Sequence, residues 1–200
     1  LDGGVDSQID ILNGSAGNDT FILRADSGVD IINGGVDSDT VDYSSLSSSD
    51  NLNLTLDSAN STSATITNGS LVYTDTIENI ENIKSGAGDD TLKGSDVDNI
   101  IVSGAGNDTL SGGKGDDYID GGDDTDTIDY RYVTSGTGVS VNLTLNSASD
   151  MFVDTFKQVG NDQLYNIENV KGTAYADSII GNGQNNILEG NSGNDFLDGK

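Results

Sequence analysis

The chain has 200 residues, of which 34 are acidic and eight are basic, so its formal charge at pH 7 is −26. This charge repels phosphate groups and excludes a nucleic-acid-binding protein, and no apolar run approaches the roughly 20 residues of a membrane-spanning helix. Because Cys and His are absent, disulfides, thiol nucleophiles, zinc sites and His-based triads are excluded as well. Low hydrophobicity with high charge is typical of disorder, but the Asp and Gly residues are periodic, which favours an ordered fold.

The first repeat block, residues 5–42, contains four nine-residue units that begin at positions 5, 14, 25 and 34. Their sixth positions hold Asp10, Asp19, Asp30 and Asp39, and their eighth positions hold Leu12, Phe21, Ile32 and Val41. Gly residues early in a unit allow the positive φ values of a tight turn, and alternation in the last three residues points position eight to one side of a short strand. Each unit is therefore predicted to be a six-residue turn followed by a three-residue strand.

One apolar side chain in nine cannot form a core by itself. If two units make one turn of a coil, successive strands stack at about 4.8 Å and the position-eight residues line up in a narrow core. The sequence thus predicts an all-β solenoid in which sixth positions eighteen residues apart lie above one another.

The first block is followed by an inserted β segment, residues 43–84, and a matching inserted β segment spans residues 130–171. Asp39–Tyr43 and Ile80–Lys84 both recur, with conservative changes, 87 residues later. The chain therefore has a second, longer period, and the two segments are expected to fold alike.

Each inserted segment contains one stretch with the alternation of a half-buried strand. These stretches are Asn51–Leu56 and Val139–Leu145. We expect both strands to stack on the solenoid, with loops such as 57–70 and 146–162 bulging out.

The second repeat block, residues 85–129, has five units without a gap, and the third, residues 172–198, has three. Their sixth positions hold Asp90, Asn99, Asp108, Asp117, Asp126, Asp177, Asn186 and Asp195. Their eighth positions hold Leu92, Ile101, Leu110, Ile119, Ile128, Ile179, Leu188 and Leu197. Twelve units in three blocks are far more than chance supplies.

The twelve units resemble the G-G-x-G-x-D-x-U-x nonapeptide of RTX (repeats-in-toxin, hemolysin-type) proteins, which forms a calcium-binding β-helix repeat. The resemblance covers about 110 of the 200 residues. It implies an all-β, right-handed parallel β-roll, a β-helix-like solenoid here interrupted by two longer-strand inserts, with Ca²⁺ held between its turns.

Position-six residues two units apart stack, at a spacing of eighteen residues, or of twenty in the first block because of the extra residues Leu23 and Arg24, and this predicts about six calcium sites. The pairs are Asp10/Asp30, Asp19/Asp39, Asp90/Asp108, Asp108/Asp126, Asn99/Asp117 and Asp177/Asp195. Ca²⁺ takes six to eight hard oxygen ligands, and Asp is short enough to reach an ion held by its own turn where Glu would overshoot. This accounts for 30 Asp against four Glu.

The resemblance further implies that oxygens from the first four positions of each turn complete the calcium shells. These residues are Ser15, Gly17, Gly34, Val36, Gly86, Gly88, Ser95, Val97, Ser103, Gly104, Ala105, Gly106, Gly112, Lys114, Gly121, Asp123, Thr173, Tyr175, Gly190 and Ser192. Asn99 supplies a neutral oxygen, so the site it shares with Asp117 should be weaker. Gln8 replaces the position-four Gly, which makes the Asp10/Asp30 site the poorest. The alternative is that these aspartates only favour turns and solubility, but that does not explain their register.

The resemblance leaves two functions open. The first is a structural calcium-binding module of a larger protein, with flanking domains in the same polypeptide, that folds on calcium after type I secretion and belongs to an adhesin or surface protein. The second is a carbohydrate-binding or stabilising roll attached to a secreted epimerase, lipase or protease, with Arg131 and nearby tyrosines contacting extracellular glycans. Catalysis within this segment is not expected, because no oriented nucleophile accompanies the carboxylates. No secretory signal is visible and both ends lie inside the repeats, so we expect an excerpt of a longer protein, which the resemblance implies to be extracellular.

Overall fold

The computed structural model describes residues 1–4, 8–24, 28–134, 136–151 and 158–200. Across these ranges the ordered elements are twenty β-strands, without a helix, and none of the described residues forms a helix suited to crossing a membrane. The units that begin at 5 and 25 lie partly outside the described residues. The strands, in chain order, are β1 (Ile11–Ala16), β2 (Thr20–Ile22), β3 (Ile31–Val36), β4 (Thr40–Asp42), β5 (Asp50–Thr55), β6 (Thr62–Asn68), β7 (Leu71–Glu78), β8 (Asn82–Lys84), β9 (Thr91–Lys93), β10 (Ile100–Val102), β11 (Thr109–Ser111), β12 (Tyr118–Asp120), β13 (Thr127–Asp129), β14 (Val139–Asn142), β15 (Ser147–Asp150), β16 (Asn161–Tyr165), β17 (Asn169–Lys171), β18 (Ser178–Ile180), β19 (Leu188–Glu189) and β20 (Phe196–Asp198).

The strands form two ten-stranded sheets that the chain visits alternately along the repeats. Sheet I has the order β2-β4-β8-β10-β12-β16-β15-β14-β18-β20. Sheet II has the order β1-β3-β7-β6-β5-β9-β11-β13-β17-β19. Most neighbours are parallel, so the all-β prediction and the parallel stacking are confirmed.

The strands of the second repeat block have the predicted length and register, whereas β1 and β3 of the first block are six residues long and continue into the following turn. β9, β11 and β13 each span positions seven to nine of a unit, and they pair in parallel with Leu92 beside Leu110 and Leu110 beside Ile128. Each neighbour is eighteen residues away, which confirms that two units make one turn of the coil.

The position-eight side chains form the core between the two sheets. Those of the inner units are fully buried, including Leu92, Leu110 and Ile128. At the ends Leu12 is only partly buried and Leu197 is 45% exposed, because a strand at the edge of a sheet has a neighbour on one side alone. The core therefore runs along the coil between the two sheets and consists mainly of branched aliphatic residues.

The prediction of bulging loops in the inserted segments is wrong. Residues 57–70 contain β6, and residues 146–162 contain β15 and the start of β16, while residues 152–157 of that loop lie outside the described residues. In sheet II, β5, β6 and β7 form an antiparallel meander between β3 and β9. In sheet I, β14, β15 and β16 form the corresponding meander between β12 and β18.

Each inserted segment begins with a buried tyrosine that is hydrogen-bonded to an aspartate later in the same segment. Tyr43 and Tyr130 are fully buried, and their hydroxyls donate to Oδ2 of Asp75 (2.8 Å) and of Asp162 (3.1 Å), respectively. The two pairs are again 87 residues apart. The inserts are thus built alike, although they enter opposite sheets.

Candidate metal centre

The position-six residues of successive turns are stacked, and we call two such neighbours a step. In each step Oδ1 of the later residue accepts the backbone N–H of the earlier one. The N–H of Asp90 donates to Asp108 (2.8 Å) and that of Asp108 to Asp126 (2.9 Å). The other four predicted pairs show the same bond, namely Asp10–Asp30 (3.1 Å), Asp19–Asp39 (2.8 Å), Asn99–Asp117 (2.9 Å) and Asp177–Asp195 (3.0 Å). All six pairs are therefore brought together, while their binding of an ion stays a prediction.

The second carboxylate oxygen of several of these residues is buried without a hydrogen-bond partner. Among the described residues this holds for Oδ2 of Asp19, Asp39, Asp108, Asp117 and Asp126. The last four of these aspartates are at most 1% exposed. A buried acceptor that lacks a partner costs about 1–3 kcal/mol, and more when it is charged. A cation beside each of these five oxygens would remove that cost.

Burial also disfavours the ionised form of these carboxylates. It raises the pKa of Asp90, Asp117 and Asp126 to about 7, and burial likewise raises the pKa of Asp39 and Asp108. Because the cause is loss of solvation rather than a specific bond, a nearby cation would reverse it.

Two predicted ligands differ from the five aspartates with an unpartnered oxygen because each carboxylate accepts a side-chain hydroxyl. Oδ2 of Asp90 accepts the hydroxyl of Ser85, and Oδ1 of Asp177 accepts that of Thr173 (2.8 Å). Both aspartates follow an inserted segment in the stack. Their sites would have to give up a hydrogen bond on binding an ion.

The turns bring backbone oxygens of one turn close to the next. A Cβ at Gly104, whose φ is 104°, would lie 2.0 Å from the carbonyl oxygen of Gly86, and one at Gly106 would lie 2.3 Å from that of Gly88. Only Gly permits this approach. Part of the capacity of these carbonyls is used, since the N–H of Ala105 donates to Gly86 (3.0 Å).

The predicted turn donors differ in burial. Gly34, Gly86, Gly88, Ser95, Ser103, Gly112, Gly121, Thr173 and Gly190 are buried. Gly104, Ala105, Gly106, Lys114 and Tyr175 are half-buried. Ser15, Gly17, Val36, Val97, Asp123 and Ser192 are exposed.

Each of the two asparagines at position six is hydrogen-bonded to the neighbouring turn of an inserted segment. The side-chain amide of Asn99 donates to the carbonyl oxygen of Glu81 (2.6 Å), and that of Asn186 donates to Glu168 (2.7 Å). A carboxylate could not make this bond. Asn at these places thus stacks two turns by a neutral hydrogen bond.

Four residues of the inserted segments continue the stack, and the sequence reasoning missed them. They are Asp75, Glu81, Asp162 and Glu168, each of which accepts the N–H of a position-six aspartate. The signal was present, because Asp75-Thr76-Ile77 and Asp162-Gln163-Leu164 keep the order of positions six to eight. Burial raises the pKa of Asp162 to about 8.

No group of three or more acidic side chains converges within the described ranges. Each step offers two position-six side chains, so an ion with six to eight ligands would need backbone oxygens or water for the remainder. That composition suits a hard, large cation.

Comparison with known proteins finds a family whose description is the RTX calcium-binding nonapeptide repeat. Its model matches four times, at residues 6–41, 78–96, 94–128 and 167–200, which together make up more than half of the chain. The second and fourth matches include Glu81 and Glu168. No curated protein matches the sequence.

Proposed function

Since the chain belongs to the RTX calcium-binding nonapeptide repeat family, we propose that it is a structural calcium-binding module of a larger secreted protein and folds when it meets calcium outside the cell. Repeats of this family bind calcium and are typical of secreted proteins. The observation that carries the proposal is the set of five buried carboxylate oxygens without a partner. Their hard oxygen chemistry and the close backbone carbonyls fit Ca²⁺.

The residues of the chain make folding depend on the cation. Two carboxylates about 5 Å apart repel by roughly 1 kcal/mol in water and by about 3 kcal/mol at an effective dielectric constant near 20. Repulsion summed over several steps rivals the total stability of about 5–15 kcal/mol that a domain commonly has. A bound ion supplies compensating positive charge, so its binding free energy becomes folding free energy.

The finer parts of the proposal follow from the same reasoning. The coil is right-handed, because connections between parallel strands of one sheet are right-handed in about 98% of cases. The low calcium of the cytosol keeps the chain unfolded for type I export, and the calcium outside folds it. The parent is an adhesin or surface protein in which the roll serves as a stiff spacer, and this segment has no catalytic role.

Calorimetric titration of the calcium-free chain tests the proposal. Ca²⁺ should bind at several sites with midpoints of roughly 10⁻⁴–10⁻³ M, the range of extracellular modules. Mg²⁺ should not replace it, because Mg²⁺ demands near-octahedral geometry and keeps its water. Equal binding of both ions would contradict carbonyl-rich sites of high coordination.

One groove favours glycan binding as a second candidate function. The groove has a volume of about 600 Å³, and Lys93, Lys114 and Tyr132 are among its lining residues. The ammonium group of Lys93 lies 5.0 Å from the centre of the Tyr132 ring. Lys93, one of eight cationic residues in the chain, thus meets an aromatic ring in a groove that a second lysine also lines, which suits a carboxylated sugar.

The neighbouring cluster is less available for such contacts. Tyr130 is fully buried, and the guanidinium of Arg131 donates to Asp129 (2.6 Å). A glycan array with the intact chain and a Lys93→Ala variant tests this candidate. Binding of uronate oligosaccharides that the substitution abolishes would support it, and an array without any binding would remove it.

A further inference from the structure

The first inserted segment returns to the repeats through the short turn 79–81, which stacks on the repeat turn of Asp39. The pairing of β4 with β8 places Thr40 beside Asn82, so Glu81 lies beside Asp39. The backbone N–H of Asp39 donates to Oε2 of Glu81 (2.8 Å), just as it would to an aspartate in a regular step. Glu81 therefore takes the position-six place of the next turn.

The same short turn also supplies a backbone oxygen. A Cβ at Gly34 would lie 2.1 Å from the carbonyl oxygen of Asn79 and 2.4 Å from Oδ2 of Asp39. In the regular step below, a Cβ at Gly14 would lie 2.5 Å from the carbonyl oxygen of Gly34 and 2.4 Å from Oδ2 of Asp19. The carbonyl of Asn79, whose φ is 52°, thus stands where a regular turn places that of its first residue. We call Asp39, Asn79 and Glu81 the first junction.

The second inserted segment repeats this construction 87 residues later. The backbone N–H of Asp126 donates to Oε2 of Glu168 (2.9 Å). A Cβ at Gly121 would lie 2.3 Å from the carbonyl oxygen of Asn166 and 2.6 Å from Oδ2 of Asp126. Asn166 also has a φ of 52°. We call Asp126, Asn166 and Glu168 the second junction.

At both junctions the aspartate carries an oxygen that nothing in the described chain satisfies. Asp39 and Asp126 are 0% exposed, and Oδ2 of each is buried without a hydrogen-bond partner. This oxygen points to the same space as the carbonyl of Asn79 or Asn166. A merely structural stacking of the turns would leave a buried carboxylate oxygen unpaired, at a cost that a cation removes.

We propose that the first and second junctions each bind one Ca²⁺, which ties an inserted segment to the repeat block before it. The inference rests on the proposed function, because it assigns two sites beyond the six pairs of the regular repeats. Glu serves here because the turn 79–81 is shorter than the six-residue turn of a unit, so that the longer side chain restores the reach. Two of the four glutamates in the chain stand at these places.

The far side of each glutamate supports this assignment. In the next step of the stack, the side-chain amide of Asn99 donates to the backbone carbonyl of Glu81, and that of Asn186 donates to the backbone carbonyl of Glu168. An amide donor there takes up the backbone oxygen that an ion would use. We therefore expect no calcium ion in the step that follows each junction.

Counting bound ions in the full chain at saturating calcium tests the proposal, by equilibrium dialysis with elemental analysis. Glu81→Gln and Glu168→Gln should each lose one ion per chain, and the double variant should lose two. The matched controls are Glu78→Gln and Glu189→Gln, which change exposed glutamates and should keep the full count. Unchanged counts in both junction variants would overturn the inference.

Two outcomes keep this test separate from that of the proposed function. If the unaltered chain binds no calcium, the proposed function fails; if it binds calcium and the junction variants keep the full count, only the inference fails. Should a variant not fold, anomalous diffraction from calcium in crystals of the unaltered chain decides. Peaks beside Gly34 and Gly121 are expected, and their absence with other sites occupied would refute the junction sites.

Discussion

Replacing Asp108 with Ala should disturb two neighbouring calcium sites, whereas replacing Asp195 with Ala should disturb one. Oδ1 of Asp108 accepts the N–H of Asp90 (2.8 Å), its own N–H donates to Asp126 (2.9 Å), and its buried Oδ2 has no hydrogen-bond partner. Oδ1 of Asp195 accepts the N–H of Asp177 (3.0 Å), but β20 is the edge strand of sheet I. Asp108 thus serves the step below and the step above it.

The expected magnitudes follow from linkage. At a free calcium concentration 100 times the dissociation constant, each site contributes about 2.7 kcal/mol to stability. Asp108→Ala should therefore cost about 5 kcal/mol in calcium, plus about 1–3 kcal/mol for the unpaired N–H of Asp90. Asp195→Ala should lose about half of the calcium contribution that Asp108→Ala loses. Asp108→Asn should be milder than Ala but still harmful, since a neutral amide cannot replace a bridging carboxylate.

Calorimetry of the two alanine variants measures both quantities. Asp108→Ala should bind two ions fewer than the unaltered chain and need more calcium to fold, and Asp195→Ala should bind one fewer. Equal losses and equal shifts of the calcium midpoint would refute the idea that one aspartate serves two steps.

Three further outcomes are expected. In chelator the β signal should rise as the pH falls from 8 to 4, because the aspartates with a pKa of about 7 in the fold have a pKa near 3.9 when unfolded. Protonation therefore stabilises the fold; this stabilisation is complete below about pH 4 and is lost as the pH rises through 7. A circular-dichroism signal that does not change with pH would contradict the burial of these groups. Tyr130→Phe removes the hydroxyl that donates to Asp162 and should lower the free energy of unfolding in calcium by about 1–3 kcal/mol, measured by thermal unfolding. Tyr165→Phe, at an exposed hydroxyl, should lower it little. Equal losses in the two variants would speak against the buried pair. At Gly104, whose φ is positive, substitution by Ala adds a Cβ 2.0 Å from a carbonyl oxygen and should cost more than the roughly 1–2 kcal/mol of the left-handed backbone alone. Gly183→Ala should be tolerated, because its Cβ would have nothing within 4 Å. Similar melting temperatures of the two variants would argue against the close stacking of turns.

The repeat strands were predictable from the sequence because one residue decides each of them. A branched aliphatic at position eight, such as Leu110 or Ile128, must be buried, and an eighteen-residue register is the simplest arrangement that stacks these side chains. The stacking of the position-six residues follows from the same period. The coarse fold and the paired aspartates are therefore local consequences of the nonapeptide.

Of the inserted strands, β5 and β14 were predictable from their alternation, whereas β6 and β15 were not. β6 buries only Ala64 and Ile66 and is otherwise built of Ser, Thr and Asn, residues that are common in loops. Similarly, β15 buries only Ala148. Their antiparallel partners supply the ordering that the local sequence lacks.

Glu81 illustrates why part of the site lay beyond sequence reasoning. Its partner Asp39 is 42 residues away rather than eighteen, a separation that only the fold of the insert sets. The expectation that Glu would overshoot applies to a regular turn, whereas Oε2 of Glu81 accepts the same backbone bond as an aspartate does. Recognising it required the register of β8 against β4.

Circular dichroism of the 200-residue chain in excess chelator, followed by titration with calcium, shows whether folding depends on the ion. We expect a disordered spectrum in chelator and a cooperative gain of β signal at roughly 10⁻⁴–10⁻³ M calcium, because the buried carboxylates repel one another until an ion lies between them. A folded β spectrum at pH 7.5 in excess chelator, unchanged by calcium, would contradict this expectation.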